Sequence, residues 1–259
     1  MSGTSPYAFA RRPWWIAGHV VAVSAIVVFV LLGLWQLRRH DDRRDFNARL
    51  ESRLEAPTQS LEGLVAEYGE DGEVLDLRRV EVEGRYAVAD EVILRNRTHS
   101  GRSGHDVLTP LETGDGRAVM INRGWVPIDV EGPPVIGAEP PPGDVVVYGI
   151  VRATQERGSF GPIDPAGGRL ERVSRIDVAR LQQQTPQDLY PFSIQLDKQN
   201  PGQAQDFPIP QPAPSPESGP HMSYAIQWFV FALVVAIGYP ILVWRTGQRP
   251  HRGNAVGAA

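Results

Sequence analysis

The chain of 259 residues contains no cysteine. This absence excludes disulfide bonds, iron–sulfur clusters, thiolate metal sites and cysteine nucleophiles together. It does not identify a compartment, because an exported domain can fold without disulfides. Lysine is almost absent too: Lys198 is the only lysine among 26 basic residues, which we attribute to coding bias and not to function. The net charge of −4 argues against nucleic acid as the main partner.

The common catalytic motifs are missing as well. The sequence has no P-loop, no G-x-G-x-x-G fingerprint and no G-x-S-x-G nucleophile elbow. Ser103, His105 and Asp106 are close in sequence, but a triad depends on spatial geometry, and a polar turn explains them better. His99 lies near His105 without acidic or cysteine companions at metal-binding spacing. We predict no catalytic residues and no metal-ion site, and we keep a membrane-anchored extracytoplasmic enzyme as an alternative.

Two long apolar stretches bracket the chain. Residues 13–37 and 221–244 each supply enough uncharged sequence for a helix to cross a ~30 Å hydrocarbon core. Tryptophans near both ends of the first stretch suit the two membrane interfaces. Residues 38–56 continue with apolar residues four positions apart, which predicts an amphipathic helical extension. The sequence thus predicts two transmembrane helices, with residues 1–12 and 245–259 as short terminal segments.

The flanking arginines determine the expected orientation, because cytoplasmic ends of membrane helices are enriched in Arg and Lys. Three arginines follow the second stretch and none lies just before it. The first stretch gives the opposite signal, with two arginines before it and four after it. We give more weight to the second stretch. Both termini are then expected in the cytoplasm, and the central region outside it.

Residues 57–206 carry the pattern of a β-rich domain. Apolar and polar residues alternate loosely from Val74 onward, and the Gly-Asp-Gly run at 114–116 indicates a hairpin turn. Short strands at regular spacing predict a mainly antiparallel sandwich or open barrel, with one short helix near residues 176–183. Residues 207–220 have proline at almost every second position and predict an extended arm. The expected fold class is a membrane protein of the α+β class.

A histidine lies where the second apolar stretch begins. On a helix His221 shares one face with two aromatic residues. Aromatic residues favour membrane interfaces whatever their function, but a neutral imidazole is also the usual axial ligand of haem iron. Gln36 is expected at the same depth in the membrane and could form a hydrogen bond with Gln227 that holds the two helices together. His19 is a candidate second ligand of the haem iron; the alternative is that it only packs against neighbouring residues. The candidate haem site comprises His221, Tyr224, Trp228, Trp35, Gln36 and Gln227.

The segment 122–127, Asn-Arg-Gly-Trp-Val-Pro, stands at the end of a predicted strand. One interpretation is a core tryptophan beside a turn that needs glycine. Arginine and tryptophan also concentrate in binding hot spots. Arg123, Gly124 and Trp125 are therefore a candidate docking surface for a protein partner.

Three motifs in order resemble the Surfeit locus protein 1 family, the cytochrome c oxidase assembly factors. They are GLWQLR at 33–38, NRGWVP at 122–127 and HMSYAIQWF at 221–229. Residues 84–86 and 104–110 also lie where the pattern of that family places them, so the resemblance covers essentially the whole chain. Each motif alone is modest, whereas three in order between two membrane spans are specific.

The resemblance implies assembly and not catalysis. Members of that family support maturation of subunit I of haem-copper oxidases around haem a insertion, and the histidine before the second span, here His221, is the expected haem a contact. We expect a two-pass chaperone in a bacterial inner membrane that acts on an aa3-type cytochrome c oxidase and binds haem a transiently. Its expected partners are subunit I, associated oxidase subunits, a respiratory supercomplex and the lipid bilayer. A structural accessory subunit that never binds haem is the alternative.

Overall fold

The computed structural model describes residues 7–158, 161–216 and 219–248. Outside them lie parts of four predicted segments, 1–12, 57–206, 207–220 and 245–259. The chain forms two compact units, Met1–Ala48 with Pro216–Ala259, and Arg49–Ser215.

Two long helices make up the first unit, together with a 3-10 turn at Ala8–Arg11. α1 (Pro13–Glu55) contains 43 residues and α5 (His221–Gly247) contains 27. Both are long and apolar enough to cross a membrane, by length and composition. Their large apolar side chains are mostly exposed, which suits a lipid-facing surface. The chain therefore has two candidate membrane-spanning helices, one on each side of the β-rich domain in the sequence.

The last turns of α1 belong to the second unit and are packed there. Leu50 is fully buried. Arg79 Nε donates to the carbonyl oxygen of Leu54 at 2.8 Å, which satisfies one of the free carbonyls at the helix end. Arg53 Nη1 donates to the carbonyl oxygen of Asp76 at 2.5 Å. The extension of α1 is thus held by buried apolar contact and by hydrogen bonds.

Eight strands form one sheet in the second unit. They are β1 (Gln59–Ser60), β2 (Arg79–Tyr86), β3 (Val92–His99), β4 (Arg102–Thr113), β5 (Ala118–Pro127), β6 (Asp144–Ala153), β7 (Arg172–Val173) and β8 (Leu189–Asn200). Five of them pair in the ring β2-β6-β8-β5-β4, which β2 closes by pairing with β4. All pairs in the ring are antiparallel except β5 with β8. The α+β class and the mainly antiparallel sheet are confirmed, and the ring is a closed barrel.

Short helices cover parts of the barrel: α2 (Leu61–Tyr68), α3 (Gly72–Leu75), α4 (Val178–Gln182) and a 3-10 turn at Val88–Asp90. Ser60, Asp71 and Asp177 cap the three α-helices with side-chain oxygens. The strand expected from residue 74 begins only at Arg79. Leu75 lies in α3 instead, because Asp71 starts a helical turn there.

Alternation along the first four residues of β5 divides their side chains between two cores. Val119 and Ile121 belong to the main cluster, which draws on all five ring strands and on α2. Ala118 and Met120 point the other way and pack with residues around α4. This period of two is the signal that predicted strands in the sequence. The predicted hairpin at 114–116 joins β4 to β5.

Candidate functional site

In the helical unit the structure joins His221 to Gln36. His221 Nδ1 lies 3.0 Å from Gln36 Oε1, across 185 positions of sequence. His221 is the first residue of α5, and Gln36 lies in α1. The hydrogen bond therefore ties the start of one candidate membrane helix to the other helix.

The partner of Nδ1 determines which nitrogen of the imidazole is free. A carboxamide oxygen only accepts, so Nδ1 carries the proton that it donates to Gln36 Oε1. In a neutral imidazole the other nitrogen, Nε2, then keeps its lone pair. A Cβ atom on Gly219 would lie 2.8 Å from His221 Nε2 and 2.9 Å from Cδ2, so any side chain at position 219 would crowd this edge. Glycine at position 219 therefore adds no side chain at this edge, although its backbone lies close to the ring.

Small residues line the contact between the two helices. A Cβ atom on Gly33 would lie 2.7 Å from two ring atoms of Phe229, so a larger residue would push the ring away. Gly33 and Gln36 are three positions apart and share one face of α1. In α5 the only buried residues are Ala225 and Ala232. Small side chains at an interface let membrane helices approach closely, and here they bring Gln36 within reach of His221.

The other predicted site residues have different surroundings. Trp228 stacks on Phe29 with ring centroids 5.7 Å apart, so it serves helix packing. Trp35, Tyr224 and Gln227 are exposed, as expected of a lipid-facing or interfacial surface. The expected hydrogen bond between Gln36 and Gln227 does not form, because Gln36 is oriented towards the imidazole.

His19 is fully engaged by the protein. Its Nδ1 lies 2.8 Å from the Tyr239 hydroxyl, and its Nε2 lies 3.3 Å from the carbonyl oxygen of Ala10. The carbonyl requires a proton on Nε2, and the hydroxyl then donates to Nδ1. Neither ring nitrogen keeps a lone pair for iron. His19 therefore serves packing and is not a haem ligand.

In the barrel unit Arg123 is buried and paired. Its Nη1 lies 3.3 Å from Glu91 Oε2, and both side chains are shielded from water. Glu91 also accepts hydrogen bonds from the backbone N–H of Val135 at 2.8 Å and from the Thr109 hydroxyl at 3.0 Å. The guanidinium carbon lies 5.4 Å from the centre of the Tyr86 ring. The charge of Arg123 is thus neutralised inside the domain.

This environment overturns the predicted docking surface. Arg123, Gly124 and Trp125 are all buried. The physical reason is the Glu91 carboxylate, 32 positions away in sequence, which allows an arginine to be buried. The segment 122–127 instead fits the other interpretation, a core tryptophan beside a turn that needs glycine.

Burial away from water shifts the pKa values of Glu91 and Arg123 in opposite directions. Burial raises the pKa of the Glu91 carboxyl, although hydrogen bonds from Val135 and the charge of Arg123 oppose the shift. Burial lowers the pKa of the Arg123 guanidinium, opposed by Tyr86 and Glu91. Both side chains are shielded from water, so removing either partner would leave the other buried without its counter-ion.

The interpretation of Ser103, His105 and Asp106 as a polar turn is wrong, because all three lie in strand β4. His105 and Asp106 are neighbours in β4, so their side chains point to opposite faces. His105 Nε2 lies 3.2 Å from Arg172 Nη1, whereas Asp106 accepts hydrogen bonds from Asn122 and Gln211. Among residues 7–158, 161–216 and 219–248 no three His, Asp or Glu side chains are placed to hold a metal ion.

Sequence comparisons identify the family. The SURF1 family profile matches residues 23–233, which include Gln36, the segment 122–127 and His221. The chain belongs to the SURF1 family. An uncharacterized SURF1-like protein of Mycobacterium tuberculosis is 27% identical over 237 residues, 89% of this chain and 84% of that protein.

Two further SURF1 relatives match shorter parts of the chain. Surfeit locus protein 1 of Mus musculus is 31% identical over 146 residues, 51% of this chain and 46% of that protein. A SURF1-like protein of Rickettsia felis is 25% identical over 109 residues, 41% of this chain and 45% of that protein. SURF1 proteins are known in general as cytochrome oxidase assembly factors and are not known as enzymes.

Proposed function

We propose that this SURF1 protein assists the maturation of subunit I of an aa3-type cytochrome c oxidase by holding haem a as cargo at His221. The observation that carries the proposal is the hydrogen bond from His221 Nδ1 to Gln36 Oε1. This hydrogen bond fixes the orientation of the imidazole and leaves the lone pair of Nε2 to bind the iron.

The donor chemistry of this site fits haem iron. Neutral histidine is a common axial ligand of haem. Ligating histidines almost always donate their second ring N–H to an acceptor, which fixes the tautomer and raises the basicity of the ligand. Gln36 supplies that acceptor, and Gly219 leaves the Nε2 edge free of a side chain.

A single protein ligand suits a protein that must release its cargo. His19 has both ring nitrogens engaged by Tyr239 and Ala10. We therefore assign His221, and not His19, as the ligand that this site supplies on one side of the haem. Ligation on one side favours transfer over permanent retention.

We propose that the exposed apolar side chains of α1 and α5 form the surface that contacts oxidase subunits. In a bacterium with a respiratory supercomplex, the same surface would contact that assembly. Isoleucine, valine and leucine side chains along both helices are exposed. In a bacterial plasma membrane this surface would face lipid or other membrane helices. We propose that both termini are cytoplasmic, with the barrel outside the cytoplasm, as the three arginines that follow residue 244 in the sequence favour.

The proposal is tested by purifying the protein from cells that synthesise haem a and recording its absorption spectrum. We expect a haem a band in the parent and in His19→Ala, and no band in His221→Ala. A protein that binds the oxidase but has no haem a band once the oxidase has been separated from it would support a structural accessory subunit instead. Equal bands in the parent and in His221→Ala would refute His221 as the ligand.

A further inference from the structure

A cavity in the barrel unit is lined by residues of α4 and β7 and by neighbouring parts of the chain. Its volume is about 260 Å³, just below the ~300–1,000 Å³ of pockets that hold drug-sized ligands. Three arginines contribute to its wall, Arg157, Arg175 and Arg180, together with apolar side chains. The cavity therefore has the size and the positive charge to hold a small anion.

Arg180 is the most deeply buried of the three arginines, with 9% of its surface exposed. Its Nε donates to the carbonyl oxygen of Pro165 at 2.8 Å, and its Nη2 donates to that of Gly168 at 2.6 Å. Nη1 is buried as well, but it has no hydrogen-bond partner in the described part of the chain. A buried donor without a partner costs free energy. The guanidinium is thus held in place while some of its five N–H groups stay unused.

The charge of Arg180 has no counter-ion either. None of the ion pairs among the described residues includes it. Two carboxylates line the same cavity, but both are engaged elsewhere. Asp164 pairs with Arg95 at 3.1 Å and accepts from the backbone N–H of Ser174 at 2.9 Å, and Asp177 accepts from the backbone N–H of Arg180 as a helix cap. Since buried charges are normally paired, this guanidinium calls for an anion that the described chain does not supply.

The rest of the wall combines further positive charge with apolar surface. Arg175 is half-buried and donates to the carbonyl oxygen of Pro162, and Arg157 is exposed. On the apolar side lie Val173 and Leu181, both buried in the cluster around α4. A ligand that matches this wall carries a negative charge at one end and an apolar body at the other.

We propose that this cavity binds a small carboxylate with an apolar body, such as a short-chain aliphatic acid. The carboxylate is the counter-ion of Arg180 and accepts hydrogen bonds from donors that the protein leaves unused. The planar guanidinium suits this role, because its fork of donors matches the geometry of a carboxylate. The apolar body packs on Val173 and Leu181. The site is independent of the proposed function of His221.

The test titrates the full chain in detergent with butyrate at constant ionic strength. Binding is followed by saturation-transfer NMR of the butyrate protons, and the same titration of detergent alone supplies the background. 1-Butanol carries the same apolar body without the charge, whereas inorganic phosphate carries charge without the apolar body. We expect saturable binding of butyrate, and weaker binding of both comparison molecules.

Three variants assign the binding to the cavity. Arg180→Gln should weaken butyrate binding at least about tenfold, the effect of losing one charge-assisted hydrogen bond. Arg157→Gln removes an exposed charge from the wall and should weaken binding about twofold to threefold. Arg169→Gln is the matched control and should bind like the parent, because Arg169 pairs with Asp90 at 3.1 Å and does not line the cavity.

The comparison molecules can overturn the inference without any variant. It fails if the parent shows no saturable binding of butyrate, if 1-butanol binds as strongly as butyrate, or if phosphate binds and butyrate does not. Equal affinities of Arg180→Gln and Arg169→Gln for butyrate would also overturn it. Circular dichroism checks that Arg180→Gln is folded; if it is not, Arg157→Gln takes its place, and an affinity equal to that of the parent then overturns the inference.

Discussion

Replacing Gln36 by leucine removes the acceptor of His221 Nδ1 and keeps a side chain of similar size. In the structure this oxygen lies 3.0 Å from the ring nitrogen and is the contact that fixes the tautomer. Loss of a second ring partner typically weakens metal binding by about 10–100-fold. An interhelical hydrogen bond in a membrane contributes only about 0.6 kcal/mol on average, roughly threefold. The expected loss of haem a affinity is therefore larger than the loss of helix pairing can explain.

The assay is a titration of the detergent-solubilised protein with haem a, followed by absorption. Gln227→Leu is the matched control, because Gln227 is exposed on α5 and does not bond His221. We expect Gln36→Leu to bind at least tenfold more weakly than the parent and Gln227→Leu to bind like the parent. Gln36→Glu keeps an acceptor and should retain the affinity. Equal affinities for Gln36→Leu and Gln227→Leu would refute the role of Gln36.

Three further variants test other contacts. Gly219→Ala should weaken haem a binding in the same titration, because its methyl group would lie 2.8 Å from His221 Nε2; unchanged affinity would show that this edge is not used. Glu91→Gln should lower the free energy of unfolding in urea by about 3–5 kcal/mol, because Arg123 would be left buried without its counter-ion. Burial and the charge of a nearby arginine lower the pKa of His105 below its ordinary value of 6.5. The neutral ring is therefore favoured in the fold, so the melting temperature should fall as pH decreases from about 6.5 towards the folded-state pKa. His105→Gln should flatten that dependence, and an unaltered slope would contradict the assignment.

The sequence predicts those parts of the architecture that depend on local patterns of residues. The two apolar stretches follow from length and the absence of charge, and the Gly-Asp-Gly turn follows from turn chemistry. Barrel closure is different, because β2 meets β4 through only three residue pairs, Gly84 to Tyr86 against Thr113 to Leu111. Such a short, long-range pairing depends on the registers of the other strands, which no local pattern records.

The candidate site was predictable only in part, for the same reason. His221 is apparent from its place before an apolar run, but its partner could have been any polar residue at that depth. The sequence suggested two glutamines facing each other, whereas Gln36 turns to the histidine 185 positions away. Arg123 was expected on the surface because its counter-ion, Glu91, cannot be recognised from spacing. Gly33 appeared only as part of the GLWQLR motif and Gly219 in no motif, since their importance depends on atoms that approach them in space.

The central claim is that His221 Nε2 binds the iron of haem a while Nδ1 donates to Gln36. A resonance Raman spectrum of the ferrous haem a complex tests both parts at once. We predict an iron–histidine stretching band in the parent, absent from His221→Ala and shifted to lower frequency in Gln36→Leu, because loss of the acceptor makes the imidazole a weaker donor. A parent complex without this band, or a band that persists in His221→Ala, would contradict the account.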